Sequence, residues 1–330
     1  MKETHDEKLS FLAGEVHAEP GKVPTVMRGA RTFRYHDCRE AIWMRGDLRG
    51  KRILLTAGLG DLRGVRVLPN HDKTGVGDKI QAARFVAWFV DQGCQVMIRV
   101  PDCLSPLFRW EGVRYLGDAT LSLRRADYDH EVSAAMIPRV FPELQVPPAK
   151  LNAPAGMVAE AWQRFSRKVG MKRVGLVWTS SEGAPDTISA KPVGSRRSMW
   201  LRDLKPLAST PDCEFISLQH GVGCKQLPEW PGLIDACSRC QDFSELAAIM
   251  QTCDAVVTID TGPAHLSGSL GIPTMVMLPY RADPRWGTSS TCCTLYPSAK
   301  LFRQDVPGDW TGPVQRIAKE LNEWRKKQWN

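Results

Sequence analysis

Short runs of apolar, often β-branched residues alternate along the chain with longer segments whose apolar positions recur at helical spacing. This alternation predicts strands followed by helices, the βα units that build a parallel sheet. In the first half, the predicted strands cover residues 53–55, 65–68 and 96–100. A helix over about residues 79–92 is predicted between the last two strands, and Gly93 is placed to end it.

The strand and helix pattern stops in a segment rich in proline and glycine, residues 146–156, and then restarts. The predicted strands after this break are short and almost entirely apolar, as buried parallel strands are, and cover residues 174–178, 215–218, 255–259 and 274–278. We therefore predict an α/β protein with an N-terminal Rossmann-like domain over residues 1–155 and a C-terminal one over residues 156–312.

Composition and charge restrict the functional classes. A chain of 330 residues with 43% hydrophobic content is long enough for two buried cores. The charged N-terminus is unlike a secretion signal, and no segment approaches the roughly 20 apolar residues of a membrane span, so we expect a cytoplasmic protein whose ten cysteines are reduced. The net charge of +8 favours an anionic partner without choosing among nucleic acid, membrane and phosphorylated ligands.

The segment over residues 260–273 directly follows a predicted strand and opens a helix. Gly262 permits a tight turn, and Pro263 suits the first helical position. The N–H groups of such a first turn bind phosphate, Thr261 adds a hydroxyl, and His265 lies one turn further on. The candidate phosphate-binding residues are Asp260, Thr261, Gly262, Pro263 and His265. The alternative is an ordinary helix cap followed by a core histidine.

A series of short motifs occurs in order across about 140 residues, at 174–178, 197–198, 204–207, 216–219, 242–243, 253–254, 260–273, 278–280, 285–286, 296–298, 301–304 and 308–310. This series resembles the glycosyltransferase domains that are often fused to tetratricopeptide repeats and that are similar to lipopolysaccharide heptosyltransferases. The resemblance implies a GT-B fold, in which two Rossmann-like domains face each other across a cleft. It also implies an inverting transfer from a nucleotide-diphosphate sugar held mainly by the C-terminal domain, with no bound metal and no other cofactor.

A glycine-rich loop precedes the first predicted helix and contains Gly75, Gly77 and Asp78. It resembles the family's loop, which implies that Asp78 is the catalytic base. An aspartate beyond the end of a strand can take the proton of an acceptor hydroxyl as that hydroxyl attacks the anomeric carbon. One alternative is that Asp78 only caps the helix. Another is that Asp61, in a near copy of the loop at residues 58–61, is the base.

The departing diphosphate needs a cation if no metal is present. Arg197 and Ser198 match an Arg-Ser pair of the family, and a guanidinium can bridge two phosphate oxygens. Arg197 is therefore the first candidate, with Lys191 and Arg196 behind it. Gln219 ends a predicted strand in the same domain and is a further candidate for donor binding.

Other features carry weaker hypotheses. Cys237 and Cys240 are spaced as zinc ligands are, but no second paired motif accompanies them, so no metal site is predicted. The aromatic rings that could stack on a base or sugar, or simply fill the core, are Trp286, Tyr296 and Trp310.

The last predicted helix has an apolar stripe, and GT-B proteins commonly end in a helix that returns across the cleft. We therefore expect residues 313–330 to cross back to the N-terminal domain.

The sequence does not identify the acceptor, which could be a glycan, a lipid, a protein side chain or a modified nucleic-acid base. An alternative function is a catalytically inactive nucleotide-binding or scaffolding protein with the same fold. An NAD-dependent oxidoreductase is disfavoured because no G-x-G-x-x-G opens a helix ahead of a suitably spaced acidic residue.

Overall fold

The chain forms two compact units. The computed structural model describes residues 16–17, 25–28, 31–34, 47–56, 75–117, 125–134, 137–140, 144–180, 196–288 and 291–324. The first unit comprises Met1–Thr74, Phe85–Val100 and Trp110–Val146, and the second comprises Gly75–Arg84, Pro101–Arg109 and Pro147–Asn330. The chain thus passes to the second unit inside the proline-rich segment. The glycine loop and the first half of the following helix are grouped with the second unit, although the sequence suggested the first.

The first unit contains a four-stranded parallel sheet in the order β6-β5-β4-β7. Its described elements are β1 Val16–His17, β2 Thr25–Arg28, β3 Arg31–Arg34, β4 Arg52–Thr56, the second half of α1 Val76–Asp91, β5 Gln95–Arg99, β6 Val113–Leu116, β7 His130–Ser133 and α2 Ile137–Val140. Strands β1, β2 and β3 form a separate antiparallel sheet. In the parallel sheet, Leu54 of β4 pairs with Met97 of β5 and Glu131 of β7. The predicted strand over residues 65–68 lies outside the described residues.

The second unit contains a six-stranded parallel sheet in the order β10-β9-β8-β11-β12-β13. Its described elements are α3 Ala155–Arg164, β8 Lys172–Leu176, β9 Cys213–Ser217, β10 Ile234–Asp235, α4 Phe243–Met250, β11 Ala255–Ile259, α5 Gly262–Ser269, β12 Thr274–Leu278, β13 Ala299–Arg303 and α6 Thr311–Trp324. The central strands β11 and β12 are buried throughout, and each pairs with another strand on both sides. All carboxyl ends of these strands lie at one edge of the sheet, which is where ligands bind in such folds.

The C-terminal helix α6 completes the second unit. Its stripe residues Val314, Ile317 and Leu321 are buried in the same core cluster as Leu176 of β8 and Val257 of β11. The stripe thus belongs to the core of its own unit, whereas the sequence-based expectation placed it on the N-terminal domain. The helix packs on the short 3-10 helix Leu201–Ser209 and on β13, and its apolar side chains recur at helical spacing along that side.

The described helices are short relative to a bilayer. The longest, α1, has 16 residues. Among the parts of the chain that the structure describes, no helix is both long and apolar enough to cross a membrane.

Candidate functional site

The turn from β11 into α5 lies at the carboxyl edge of the second sheet. Thr261 is the N-cap of α5 and has extended backbone angles, and Pro263 occupies the first turn. The Thr261 side chain makes no capping hydrogen bond to the helix, and its hydroxyl donates to the carbonyl of Ile259 at 3.2 Å. Pro263 has no N–H and the Ala264 amide donates to the Thr261 carbonyl at 3.0 Å, so the first-turn amide that can face a ligand is that of Gly262. The helix dipole adds positive potential at the same place. A turn of this kind suits an anion, and phosphate binding at it stays a prediction.

Arg197 lies beside the same turn. Its Nη1 donates to the backbone carbonyl of Asp260 at 3.2 Å, which brings a guanidinium to the end of β11. Burial raises the pKa of the Asp260 carboxyl, and the positive charge of Arg197 opposes that shift. Ser198 is buried, and its hydroxyl accepts a hydrogen bond from the Ser180 amide at 3.0 Å. The two residues of the predicted pair therefore have different roles. Arg197 contacts the turn, and Ser198 links its own backbone segment to Ser180.

Gln219 has a different role from the predicted one. Its side-chain oxygen accepts from the amides of Trp178 and Thr179 at 3.0 and 2.9 Å. Its amide nitrogen donates to the carbonyls of Thr179 and His220 at 3.2 and 2.8 Å. These four bonds use both lone pairs and both N–H groups of the amide. Gln219 therefore holds the loop after β8 against the end of β9, and its side-chain amide has no donor or acceptor left for a ligand.

The glycine loop packs directly on α5. A Cβ atom added to Gly77 would lie 2.7 Å from Cδ2 of His265 and 3.4 Å from Cα of Gly262. Only glycine allows this approach without a shift of one partner. The Gly75 amide donates to Oδ2 of Asp78 at 3.2 Å, so the Asp78 carboxylate also holds the backbone at the start of α1. The structure thus brings the predicted base and the predicted anion site together.

Arg285 joins this cluster and was not predicted as a site residue. Its Nη1 donates to Oδ1 of Asp78 in a close ion pair and to Oε1 of Gln81 at 3.2 Å. Its Nε lies 3.1 Å from Oδ1 of Asp283. The side chains of Asp78 and Arg285 are 34% and 30% exposed, so a substrate can still reach them. The position of Arg285 after β12, at the same sheet edge as the α5 turn, was the signal available in the sequence.

His265 is a buried member of an aromatic cluster under the loop. Its Nδ1 lies 2.9 Å from the Tyr296 hydroxyl, and its ring stacks on Trp286 with centroids 5.1 Å apart. Burial, with help from Arg285, lowers the pKa of His265 to about 3, so the ring is neutral at physiological pH. His265 therefore supports the loop through packing, and its backbone is part of the α5 first turns.

The aromatic residues considered as stacking platforms are core residues in the second unit. Trp286, Tyr296 and Trp310 are all less than 10% exposed. Tyr296 also fills the space beside Gly268, where a Cβ would come within 2.3 Å of its ring. A base or sugar ring therefore cannot lie against these three residues without displacing their neighbours.

The two spaced cysteines form a turn in the second unit. The Cys240 amide donates to the Cys237 carbonyl at 3.1 Å, and both thiols are free. Cys240 and burial raise the pKa of Cys237 well above its usual range, so the thiol stays protonated. Within the described residues, no group of three or more potential metal ligands is found. Asp61 and Lys191 lie outside the described residues.

Comparison with solved structures identifies the fold. The chain is similar to E. coli ADP-heptose lipopolysaccharide heptosyltransferase II, with a TM-score of 0.55 and 14% identity over 83% of this chain and 98% of that chain. It is also similar to a glycosyl transferase family 9 protein from Veillonella parvula, with a TM-score of 0.53 and 14% identity over 84% and 99% of the two chains. These similarities confirm the predicted GT-B fold.

Within that fold class, residues 237–291 match the model of Glycosyltransferase family 9 (heptosyltransferase). The matched segment includes β11, the α5 turn, β12 and Arg285, whereas Asp78 and Arg197 lie outside it. A comparison with curated protein sequences gave no significant match. The family match thus covers a segment of the second unit, and the fold is the one that the sequence resemblance to glycosyltransferases implied.

Proposed function

We propose that the protein transfers a sugar from a nucleotide-diphosphate sugar and binds the donor diphosphate at the N-terminus of α5. The observation that carries this proposal is the convergence of three groups at one turn. The Gly262 amide begins α5 without a side-chain cap from Thr261, Arg197 lies at the end of β11, and Asp78 lies on the loop packed against Gly262. Amides and a guanidinium suit a diphosphate, and the carboxylate suits an attacking hydroxyl.

Asp78 acts as the general base in this proposal. Its carboxylate takes the proton from the acceptor hydroxyl while the hydroxyl oxygen bonds to the anomeric carbon and the bond to the diphosphate oxygen breaks. A single displacement of this kind inverts the anomeric configuration. Because one carboxylate serves as base and no nucleophile on the enzyme is used, the proposal needs only one acidic residue beside the reacting carbon.

The leaving diphosphate is stabilised by Arg197 and the α5 dipole. Negative charge grows on the diphosphate as the sugar departs, and preorganised donors at that point lower the barrier. The proposal therefore needs neither a divalent metal nor another cofactor. The net charge of +8 favours an anionic acceptor.

The experiment is thermal unfolding of the purified protein with nucleoside diphosphates, each measured with a chelator and with added magnesium. Binding to the folded state raises the melting temperature, and about 100 Kd of ligand contributes ~2.7 kcal/mol. We expect equal stabilisation in chelator and in magnesium, and a loss of most of it in Arg197→Ala. Stabilisation only with magnesium would contradict the metal-independent site, and unchanged stabilisation of Arg197→Ala would remove Arg197 from it.

A further inference from the structure

Arg285 contacts the proposed base from a different part of the second unit. It is 207 residues away from Asp78 in the chain, yet its Nη1 pairs with Oδ1 of Asp78 and also reaches Oε1 of Gln81. Asp78 and Gln81 are three residues apart on α1, so one guanidinium nitrogen contacts two side chains of the same helical face. The contact therefore fixes the Asp78 side chain and also the face of α1 on which Asp78 and Gln81 lie.

The two oxygens of Asp78 are held by different partners. Oδ2 accepts from the Gly75 amide at 3.2 Å, and Oδ1 accepts from Arg285. Each carboxylate oxygen has two lone pairs, so both oxygens keep one for a substrate proton. With both contacts in place, the carboxylate plane is fixed. Without Arg285, the Oδ1 contact is lost. The hydrogen bond from Gly75 alone then holds the carboxylate, which can rotate about its Cβ–Cγ bond.

Arg285 is itself fixed on the opposite side. The Oδ1 atom of Asp283 accepts from the Arg285 amide at 2.9 Å and lies 3.1 Å from Arg285 Nε. Asp283 also caps the short helix Pro284–Trp286, whose Trp286 is buried against His265. Burial by itself lowers the pKa of Arg285, but the negative charges of Asp283 and Asp78 have the larger effect, so the pKa is raised. The guanidinium is therefore held charged and oriented between two carboxylates.

We propose that Arg285 is a positioning residue that orients the Asp78 carboxylate toward the acceptor hydroxyl, so that it acts on the reaction through Asp78. This inference rests on the proposed role of Asp78 as base. A planar guanidinium can contact Asp78, Gln81 and Asp283 at fixed angles, whereas a lysine ammonium provides a point charge without that geometry. Groups that act in a reaction must be held to within about 0.5 Å and 10–20° of the productive geometry.

The kinetic test compares Arg285→Ala and Arg285→Lys with Arg281→Ala, a matched control at an exposed arginine of the same loop. A misplacement of about 1 Å costs ~10² in rate. We expect kcat of Arg285→Ala to fall by a factor on the order of 10 to 100 with the donor KM changed less than about threefold. Arg285→Lys should keep part of kcat, added guanidinium should partly restore Arg285→Ala, and Arg281→Ala should match the unsubstituted protein.

The decisive comparison is the double variant Asp78→Asn with Arg285→Ala. If Arg285 acts through Asp78, the double variant is no slower than Asp78→Asn alone. Multiplied losses, or a raised donor KM with unchanged kcat, would overturn the inference and assign Arg285 to the donor. Full activity of Asp78→Asn would instead reject the proposed base, which separates the two failures.

A measurement without turnover tests the same contact. The carboxyl ¹³C signal of Asp78, assigned by its loss in Asp78→Asn, should shift in Arg285→Ala and stay in place in Arg281→Ala. Circular dichroism of each variant checks that the fold is retained. An Asp78 signal that is unchanged in a folded Arg285→Ala protein would overturn the positioning role whether or not a donor is known.

Discussion

Replacement of Gly77 by alanine tests the contact between the glycine loop and α5. The new Cβ would lie 2.7 Å from Cδ2 of His265, and ordinary contact begins at 3.4 Å, so the atoms must separate by about 0.7 Å. His265 is 3% exposed and is held by the Tyr296 hydroxyl and the Trp286 ring, so the imidazole has little room to move. The loop must therefore move, and Asp78 moves with it.

Overpacking of this kind costs about 1–3 kcal/mol. For a unit of this size, ~1 kcal/mol lowers the melting temperature by 2–4 °C. Since the loop carries Asp78, we also expect transfer to fall by a factor of 10 or more, up to the ~10² expected for a misplacement of about 1 Å. Thermal unfolding and initial rates measure the two effects separately.

The matched control is Gly156→Ala in α3, an exposed helical position where a Cβ would meet nothing within 4 Å. Alanine there should be neutral or stabilising by about 0.4–1 kcal/mol. Unfolding and transfer of Gly77→Ala that equal those of the unsubstituted protein would refute the packing of the loop on His265.

Two further predictions follow from the second unit. Burial lowers the pKa of His265 to about 3 from 6.5, so the unfolded chain binds this proton more readily than the folded protein does. The free energy of unfolding should therefore decrease as pH falls from 6.5 toward 3, by at most ~1.4 kcal/mol per pH unit from this group. NMR titration should show no ring titration near pH 6.5, and a midpoint there would contradict the burial. Ile317→Ala should lower the free energy of unfolding in urea by about 2–5 kcal/mol because the Ile317 side chain is fully buried. Gln315→Ala, on the exposed face of α6, should change it little. A small loss for Ile317→Ala would contradict the packing of α6 on its own unit.

The central strands of the second sheet were predictable from the sequence because they are buried on both sides. The predicted strands 255–259 and 274–278 coincide with β11 and β12, and those at 174–178 and 215–218 overlap β8 and β9. Strands β6 and β7 were missed because they lie at the sheet edges and are only partly buried, so they lack a continuous apolar run.

Local chemistry was predictable where the relevant residues are adjacent in the chain. The α5 turn was found because strand, cap and proline follow one another, and Gly77 because its loop precedes a helix. Arg285 was missed because its partner Asp78 is 207 residues away, and only the fold brings them together. Gln219 was assigned to the donor because a strand end suggests a ligand, whereas its four contacts with backbone groups depend on how close the segments after β8 and β9 lie. The direction of α6 depends on which apolar face is left to cover, and an apolar stripe does not specify that face.

The central claim is that this protein transfers a sugar from a nucleotide-diphosphate sugar with Asp78 as the base. Mass spectrometry of reactions with a panel of nucleotide sugars and of glycan, lipid, protein and nucleic-acid acceptors tests it directly. The account predicts a glycosylated product in the presence of chelator, a loss of transfer on the order of 10² or more in Asp78→Asn, and retained donor binding in that variant. Donor binding without any product from the unsubstituted protein, or equal transfer by Asp78→Asn, would contradict it.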